Sequence, residues 1–182
     1  MQSFKDLHYQ SSPLLIGNVW DVASTRIVEK ANFKAIGTSS AAIASMLGYQ
    51  DGEEMDFSEL RYIVERISAN TKLPLSVDLE SGYSRNPLQI TKHIQQLAEI
   101  GVVGVNLEDS IVVNEERQLL NATEFAQTIS TIKKQLQKEG MEIFLNIRTD
   151  TFLLGVSDTI KVTQERIELY EKAGADGIFV PC

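Results

Sequence analysis

Three short apolar runs in the sequence end in acidic residues. The runs Leu-Pro-Leu-Ser-Val, Val-Gly-Val-Asn-Leu and Ile-Phe-Leu-Asn-Ile are followed by Asp78-Leu79-Glu80, Glu108-Asp109 and Arg148-Thr149-Asp150, respectively. Each run is apolar, contains β-branched residues and is too short for a helix, so we expect buried parallel strands. Carboxylates after such strands lie at the C-terminal rim of an α/β barrel, where barrels build their active sites. Hard oxygen ligands and an arginine at this rim predict a magnesium site that holds an anionic substrate.

The acids Asp78, Glu80 and Glu108 follow the third and fourth predicted strands, which are neighbours in a barrel. Alternate residues of a strand share a face, so Asp78 and Glu80 can point at the same mouth. Any one of these acids could equally cap a helix or lie in solvent. Three acids together favour a metal site, because Mg²⁺ prefers carboxylate and water oxygens.

The small residues Ser39, Ser40 and Ala41 close the second predicted strand. Backbone N–H groups of such a turn can receive a carboxylate or phosphonate, as at a helix N-terminus. Composition alone favours the alternative, which is close packing between strand and helix. Both interpretations stay open at this point.

Arg148 ends an apolar strand, where a guanidinium needs an anion. That anion is either a ligand bound at the rim of the barrel or the carboxylate of Asp78, Glu108 or Asp150 in a structural ion pair. The spacing favours neither interpretation over the other. Trp20 follows the first predicted strand and could wall a pocket, although aromatic packing in the core is the commoner outcome.

Six strands alternate with helical patterns along the chain, which predicts an α/β fold with a parallel sheet. We expect the strands near residues 14–20, 35–39, 73–79, 102–107, 143–147 and 177–181. A closed (β/α)₈ TIM-type barrel needs eight strands and about 250 residues. The prediction is therefore one incomplete domain over residues 1–182, a barrel truncated after its sixth strand. Two exposed sheet edges would favour a homo-oligomer. Residues 110–120 are expected to form a polar loop, with Glu115-Glu116-Arg117 solvated.

The composition excludes some classes of function. With a formal charge of −8 over 182 residues, the chain lacks the basic surface that nucleic acids or anionic membranes require. Cys182 is the only cysteine, so an internal disulfide and a cysteine-based metal site are excluded. The sequence contains no long apolar run and no basic leader before one, so we expect a soluble, cytoplasmic protein.

Several segments, in order over nearly the whole chain, carry a resemblance to a known family. They are residues 17–21 (GNVWD), 35–41 (AIGTSSA), 47–53 (LGYQDGE), 76–83 (SVDLESGY), 104–110 (GVNLEDS), 146–150 (NIRTD) and 173–181 (AGADGIFVP). On these segments, residues 14–182 resemble the isocitrate lyase and phosphoenolpyruvate mutase superfamily, and more closely its phosphoenolpyruvate mutase-like branch.

The resemblance implies a Mg²⁺-dependent (or Mn²⁺-dependent) barrel that acts on a 2-oxo acid or phosphonate through an enolate. By position, Asp78 would be the principal metal ligand. The water shell of the ion would be bound by Glu80, Glu108 and Asp51. The substrate carboxylate would be held by Ser39 with the amides of Ser40 and Ala41, and Arg148 would bind the other anionic end. Ser39 and Arg148 would thus take the catalytic positions.

The sequence departs from the family where the reaction is decided. Lyases of the family carry a Lys-Lys-Cys-Gly-His lid, but residues 110–120 contain no Cys, His or Lys. Pro181 stands where the mutases and hydrolases have a histidine. Metal and anion binding therefore carry over better than any reaction. The first hypothesis is a Mg²⁺-dependent lyase or phosphonomutase. The alternatives are a catalytically silent barrel that binds a small dicarboxylate, and an inactive, incomplete family member.

Overall fold

The computed structural model describes residues 3–181, so Cys182 lies outside the described part of the chain. Its strands are β1 (Ile16–Val19), β2 (Ala35–Thr38), β3 (Leu75–Asp78), β4 (Val102–Glu108), β5 (Ser110–Val113), β6 (Glu116–Leu119), β7 (Phe144–Arg148) and β8 (Gly177–Phe179). Its helices are α1 (Phe4–His8), α2 (Val22–Lys30), α3 (Ser40–Leu47), α4 (Phe57–Ser68), α5 (Pro87–Ala98), α6 (Ala122–Lys138) and α7 (Thr159–Ala173).

The main sheet confirms the predicted fold class. Six parallel strands lie in the order β1-β2-β3-β4-β7-β8 and form part of a TIM-type barrel. All six predicted strands are present, with ends that differ from the prediction by a few residues at most. Because every strand is parallel, all six carboxyl ends meet at one rim, which we call the mouth.

The core lies between this sheet and the helices that cover it. Strand residues such as Val77, Val105 and Leu145 are fully buried. On α4, the apolar residues Leu60, Val64 and Ile67 are fully buried as well. Burying each such side chain contributes about 1.5–3 kcal/mol before the entropy of folding is subtracted. Within residues 3–181, no helix has the length and apolar character needed to cross a membrane.

The expected polar loop after β4 is a β-hairpin, so this prediction is wrong. Strands β5 and β6 pair antiparallel, with Val113 opposite Glu116. The two residues between them, Asn114 and Glu115, have φ angles of 50° and 67°. Such paired positive angles match a tight turn whose twist suits a hairpin. The usual sequence signal is Asn-Gly, and here the second position is a glutamate.

A buried polar network ties α7 to the mouth. Asp109 is fully buried, and its carboxylate accepts hydrogen bonds from Thr149 Oγ1 (2.7 Å), Arg166 Nη1 (2.7 Å) and Tyr170 Oη (2.8 Å). The backbone N–H of Asp150 donates to it at 3.0 Å. A buried charge with this many donors is compensated, so the network joins the ends of β4 and β7 to α7.

Tyr170→Phe should destabilise the protein by about 1–3 kcal/mol, because Asp109 and Arg166 would each lose a buried hydrogen-bond partner. The matched control is Tyr62→Phe, since Tyr62 is 59% exposed and its variant should change stability very little. Urea denaturation of the three proteins measures the difference. Equal midpoints for both variants would show that the hydroxyl of Tyr170 contributes nothing.

Candidate active site

The predicted acids meet at the mouth. Asp78 is the last residue of β3 and Glu108 the last residue of β4. Glu80 lies beyond β3, where the N–H of Glu108 donates to its carbonyl at 2.8 Å. Glu80 has a φ of 50°, so its backbone is in the left-handed region. The direction of its side chain therefore does not follow the alternation of strand residues. The acids are thus neighbours, but the geometry that joins Glu80 to Asp78 differs from the predicted one.

Asp78 is held by the start of α3. Its Oδ2 accepts hydrogen bonds from Ser40 Oγ (2.7 Å) and from the Ser40 amide (3.3 Å). Ser39 caps the helix through an Oγ that accepts from Ala42 N at 3.3 Å, and Ala41 is exposed in the first turn. Burial raises the pKa of Asp78, and the Ser40 hydrogen bonds oppose that shift. The three predicted anion-binding residues therefore lie at the mouth, with Ser40 engaged by Asp78.

Glu80 has a carboxylate oxygen without a partner. Its side chain is 3% exposed, and Oε1 accepts a hydrogen bond from Tyr83 Oη at 2.8 Å. The buried Oε2 has no hydrogen-bond partner. Burial raises the pKa of Glu80 to about 7. An orphaned, buried carboxylate oxygen costs free energy that a nearby cation would recover, so the site fits a metal ion on this observation.

The acids are not arranged as a ready-made metal cage. Among residues 3–181, no group of three or more His, Cys, Asp or Glu side chains is close enough to hold a metal ion as it stands. The metal role of Asp78, Glu80, Glu108 and Asp51 therefore stays a prediction.

Arg148 is engaged by two acids of the chain. Its Nη1 lies 3.2 Å from Glu108 Oε2, and its Nε donates to Asp150 Oδ1 at 2.6 Å. The guanidinium also stacks over Phe179, with 5.9 Å to the ring centroid. The sequence left open whether Arg148 forms an ion pair within the protein. The structure shows such pairs with Glu108 and Asp150, but none with Asp78. Its side chain remains 17% exposed at the mouth, where a ligand could reach it.

Arg117 is the residue that the sequence interpretation missed. Expected in solvent, its guanidinium instead forms ion pairs with Glu108, Asp150 (3.4 Å) and Asp51 (3.1 Å), and Nη1 donates to Ser110 Oγ at 2.9 Å. Arg117 and Leu119 alternate with exposed residues along β6, which puts both on the inner face of the hairpin. This alternation is the feature of the sequence that could have predicted the inward position of Arg117, but a pattern over four residues is weak evidence.

The segment that carries Asp51 is held by contacts on two sides. Glu53 accepts hydrogen bonds from Ser81 Oγ (2.8 Å) and Tyr83 N (2.6 Å), so the segment is tied to the turn after β3. On the other side Gly52, with a φ of +111°, packs against the hairpin, where a Cβ would come within 2.4 Å of Val112 Cγ2. A side chain at position 52 would push the hairpin away from the mouth.

Trp20 lies directly after β1 and is 40% exposed. It is therefore not a core residue, which was the commoner expectation for an aromatic. Its position beyond the carboxyl end of an edge strand is compatible with the predicted pocket wall, and this role stays a prediction.

Glu80 should make stability depend on pH. Because its folded pKa is raised to about 7, the folded state binds a proton that the unfolded state, with an ordinary pKa near ~4.3, has released. The free energy of unfolding should therefore fall as pH rises from about 5 to about 8. Burial also raises the pKa of Glu108 to about 7, so Glu80→Gln should reduce this slope without abolishing it, as measured by urea denaturation across that range. The control Glu116→Gln, at an exposed position, should keep the wild-type slope; a wild-type slope in Glu80→Gln would contradict the assignment.

Comparisons with known proteins identify the family to which this chain belongs. The sequence model described as phosphoenolpyruvate phosphomutase matches residues 4–182. An uncharacterised protein of Mycobacterium tuberculosis (strain CDC 1551 / Oshkosh) is 35% identical over 179 residues, which cover 98% of this chain and 65% of the relative. An oxaloacetate decarboxylase of Bradyrhizobium sp. (strain BTAi1 / ATCC BAA-1182) is 29% identical over 174 residues, which cover 90% of this chain and 56% of the relative. The chain thus spans between half and two thirds of the length of these relatives.

Solved structures agree with the sequence comparisons. A protein from Burkholderia cenocepacia J2315, provisionally described as a phosphonomutase, has a TM-score of 0.89 at 37% identity, covering 98% of this chain and 73% of that one. Phosphonopyruvate hydrolase in complex with oxalate and Mg²⁺ has a TM-score of 0.80 at 19% identity, covering 90% of this chain and 56% of that one. At that identity the second likeness shows the fold alone. Because the family match extends over almost the whole chain and the barrel strands agree with it, the chain belongs to the phosphoenolpyruvate phosphomutase family.

Proposed function

We propose that the protein is a Mg²⁺-dependent (or Mn²⁺-dependent) enzyme that acts on a 2-oxo acid or phosphonate through an enolate. Its reaction would break or rearrange a C–C or P–C bond. The observation that carries the proposal is the unpartnered Oε2 of Glu80, buried at a mouth shared with Asp78 and Glu108. One relative is an oxaloacetate decarboxylase, and phosphonopyruvate hydrolase, which has a similar fold, was solved with oxalate and Mg²⁺. Both proteins support this class of chemistry.

The acids take different parts in this proposal. Asp78 binds the metal ion directly, and the water shell of the ion is bound by Glu80, Glu108 and Asp51. The bound ion would act as a Lewis acid on the enolate oxygen, where charge develops in the transition state.

The substrate is held at its two ends. Ser39 and the amides of Ser40 and Ala41 would receive the substrate carboxylate, because the N-terminus of α3 directs backbone donors and the positive end of its dipole at the mouth. The Ser40 amide would exchange its 3.3 Å hydrogen bond to Asp78 for one to the substrate. Arg148 binds the other anionic group through its planar guanidinium, and Trp20 walls the pocket. With both ends fixed, the bond that reacts is oriented relative to the acids.

A second function is favoured by one observation in the hairpin. Residues 110–120 contain no Cys, His or Lys, which are the usual groups for moving a proton in that position of the family. The alternative is therefore a catalytically silent barrel that binds a small dicarboxylate. Binding without turnover would identify it.

Metal binding should raise the thermal stability of the protein. A ligand that binds only the folded state stabilises it by about 2.7 kcal/mol at a hundredfold excess over Kd. Asp78→Asn should abolish the stabilisation by Mg²⁺, measured as the shift in Tm. Asp158→Asn is the control, since Asp158 is exposed at the start of α7 and its φ of 53° suits asparagine. A full Mg²⁺ shift in Asp78→Asn would place the ion elsewhere.

Turnover tests the reaction class. Phosphonopyruvate, oxaloacetate and 2-methylisocitrate would be incubated with the protein and Mg²⁺ and followed by phosphorus and proton NMR. We expect consumption of the phosphonate or the 2-oxo diacid and no cleavage of 2-methylisocitrate, because the hairpin lacks the lyase cysteine. Brisk lyase activity sensitive to thiol reagents would overturn the expected absence of this cleavage.

Arg148→Ala should weaken ligands that carry a phosphonate or carboxylate beyond their 2-oxo-acid end by about 1.5–3 kcal/mol in calorimetry. Oxalate mimics only the 2-oxo-acid end, so its affinity in the presence of Mg²⁺ should change little. Unchanged affinity for the longer ligands would leave Arg148 as a structural ion-pair residue.

We also propose that the chain acts in the cytoplasm as a homo-oligomer, without nucleic-acid or membrane partners. The net charge of −8 supports the absence of polyanionic partners. The edge strands β1 and β8 of the described sheet have unpaired sides, which favour association. Light scattering after size-exclusion chromatography should show an oligomer. A cooperatively unfolding monomer at all concentrations would refute it, and cell fractionation would test the location.

A further inference from the structure

One guanidinium joins acids from three separate segments at the mouth. Arg117 contacts Asp51 after α3, Glu108 at the end of β4 and Asp150 after β7. Two of these three acids, Asp51 and Glu108, also belong to the proposed metal set. The arginine therefore neutralises the same oxygens that a divalent cation would need.

A guanidinium and a divalent cation cannot share these acids without cost. Carboxylate oxygens that accept N–H donors from Arg117 have fewer lone pairs to offer to a metal or to its water. The positive charge of Arg117 would also repel the ion at short range, most strongly beside Glu108, whose side chain is 5% exposed, and less beside Asp51, whose side chain is 45% exposed. Occupation of Asp51 and Glu108 by one cation thus disfavours the other.

The hairpin that carries Arg117 is anchored at its ends. Leu120 N donates to Asp109 O at 2.8 Å, and Arg166 Nη2 donates to Leu120 O at 2.9 Å, so the buried network holds both ends of the β5–β6 hairpin. Toward its turn, the hairpin contacts the mouth through Arg117 and through the packing of Val112 on Gly52. Loss of the Arg117 ion pairs would leave the turn held to the mouth only by the contact of Val112 with Gly52, while the ends stay in place.

We propose that Arg117 is an internal counter-ion that competes with the divalent cation for Asp51 and Glu108, so that metal binding and release of the hairpin turn are one event. Arg117 thereby sets the metal affinity of the site and links it to access through the mouth. The inference rests on the proposed function, because it requires a cation at these acids.

Calorimetry with Mn²⁺ and Mg²⁺ tests the competition. Arg117→Gln should lower the Kd of the metal about tenfold or more, since a tenfold change corresponds to about 1.4 kcal/mol, below the range for one hydrogen bond to a charged group. Arg117→Lys keeps the charge but loses the planar fork, so its Kd should lie between those of the wild type and Arg117→Gln. Arg66→Gln removes the same charge at an exposed position of α4 and should leave the Kd unchanged. A higher or unchanged Kd in Arg117→Gln would overturn the proposal.

Hydrogen exchange of the wild-type protein and of Arg117→Gln gives a second test. Saturating Mg²⁺ should speed amide exchange in residues 110–119, whereas Arg117→Gln should exchange quickly there with or without the metal. Slower or unchanged exchange in the wild type on metal binding would refute the release of the hairpin. If neither protein binds metal, the proposed function fails as well. If the wild type binds metal through Asp78 and Arg117→Gln binds it equally well, only this inference fails.

Discussion

Burying carboxylates at the mouth of a parallel sheet is the constraint on which the rest of the structure depends. Each buried charge raises the free energy of the folded state unless donors or cations replace the lost water. Asp109, Asp78 and Glu108 meet this requirement in three ways. Asp109 accepts hydrogen bonds from several donors, and Asp78 accepts them from the amide and hydroxyl of Ser40. Glu108 forms ion pairs with Arg117 and Arg148.

The degree of compensation separates structural acids from functional ones. Asp109 is fully satisfied, and its partners Arg166 and Tyr170 reach it from α7, so it stabilises one arrangement of the strand ends. Glu80 is the opposite case, because one of its buried oxygens has no partner and burial raises its pKa. A protein that keeps such a group forgoes stability, and groups of this kind concentrate at functional sites.

The hairpin shows how one family barrel can be adapted. Here a β5–β6 hairpin stands where the lyases of the family carry a cysteine-containing lid, and it brings an arginine to the acids in place of a thiol or an imidazole. An arginine supplies charge and directional donors, but it does not exchange protons near neutral pH. The change of residue type therefore keeps electrostatic control at the mouth while removing the familiar proton donor. This is the physical reason why family membership alone does not decide the reaction.

The sheet and most of the acids at its rim could be predicted from the amino-acid sequence. Apolar runs that end in Asp78, Glu108 and Arg148 require buried parallel strands, and parallel strands bring their carboxyl ends together wherever the helices lie. The contacts of Arg117 could not be predicted in this way, because they depend on a hairpin whose turn lacks the usual glycine and on acids far apart along the chain. The same holds for Glu80, whose left-handed backbone and unpartnered oxygen arise from the packing around it. Local patterns encode which residues lie on a strand, but ion pairs between distant segments exist only once the whole barrel rim is assembled.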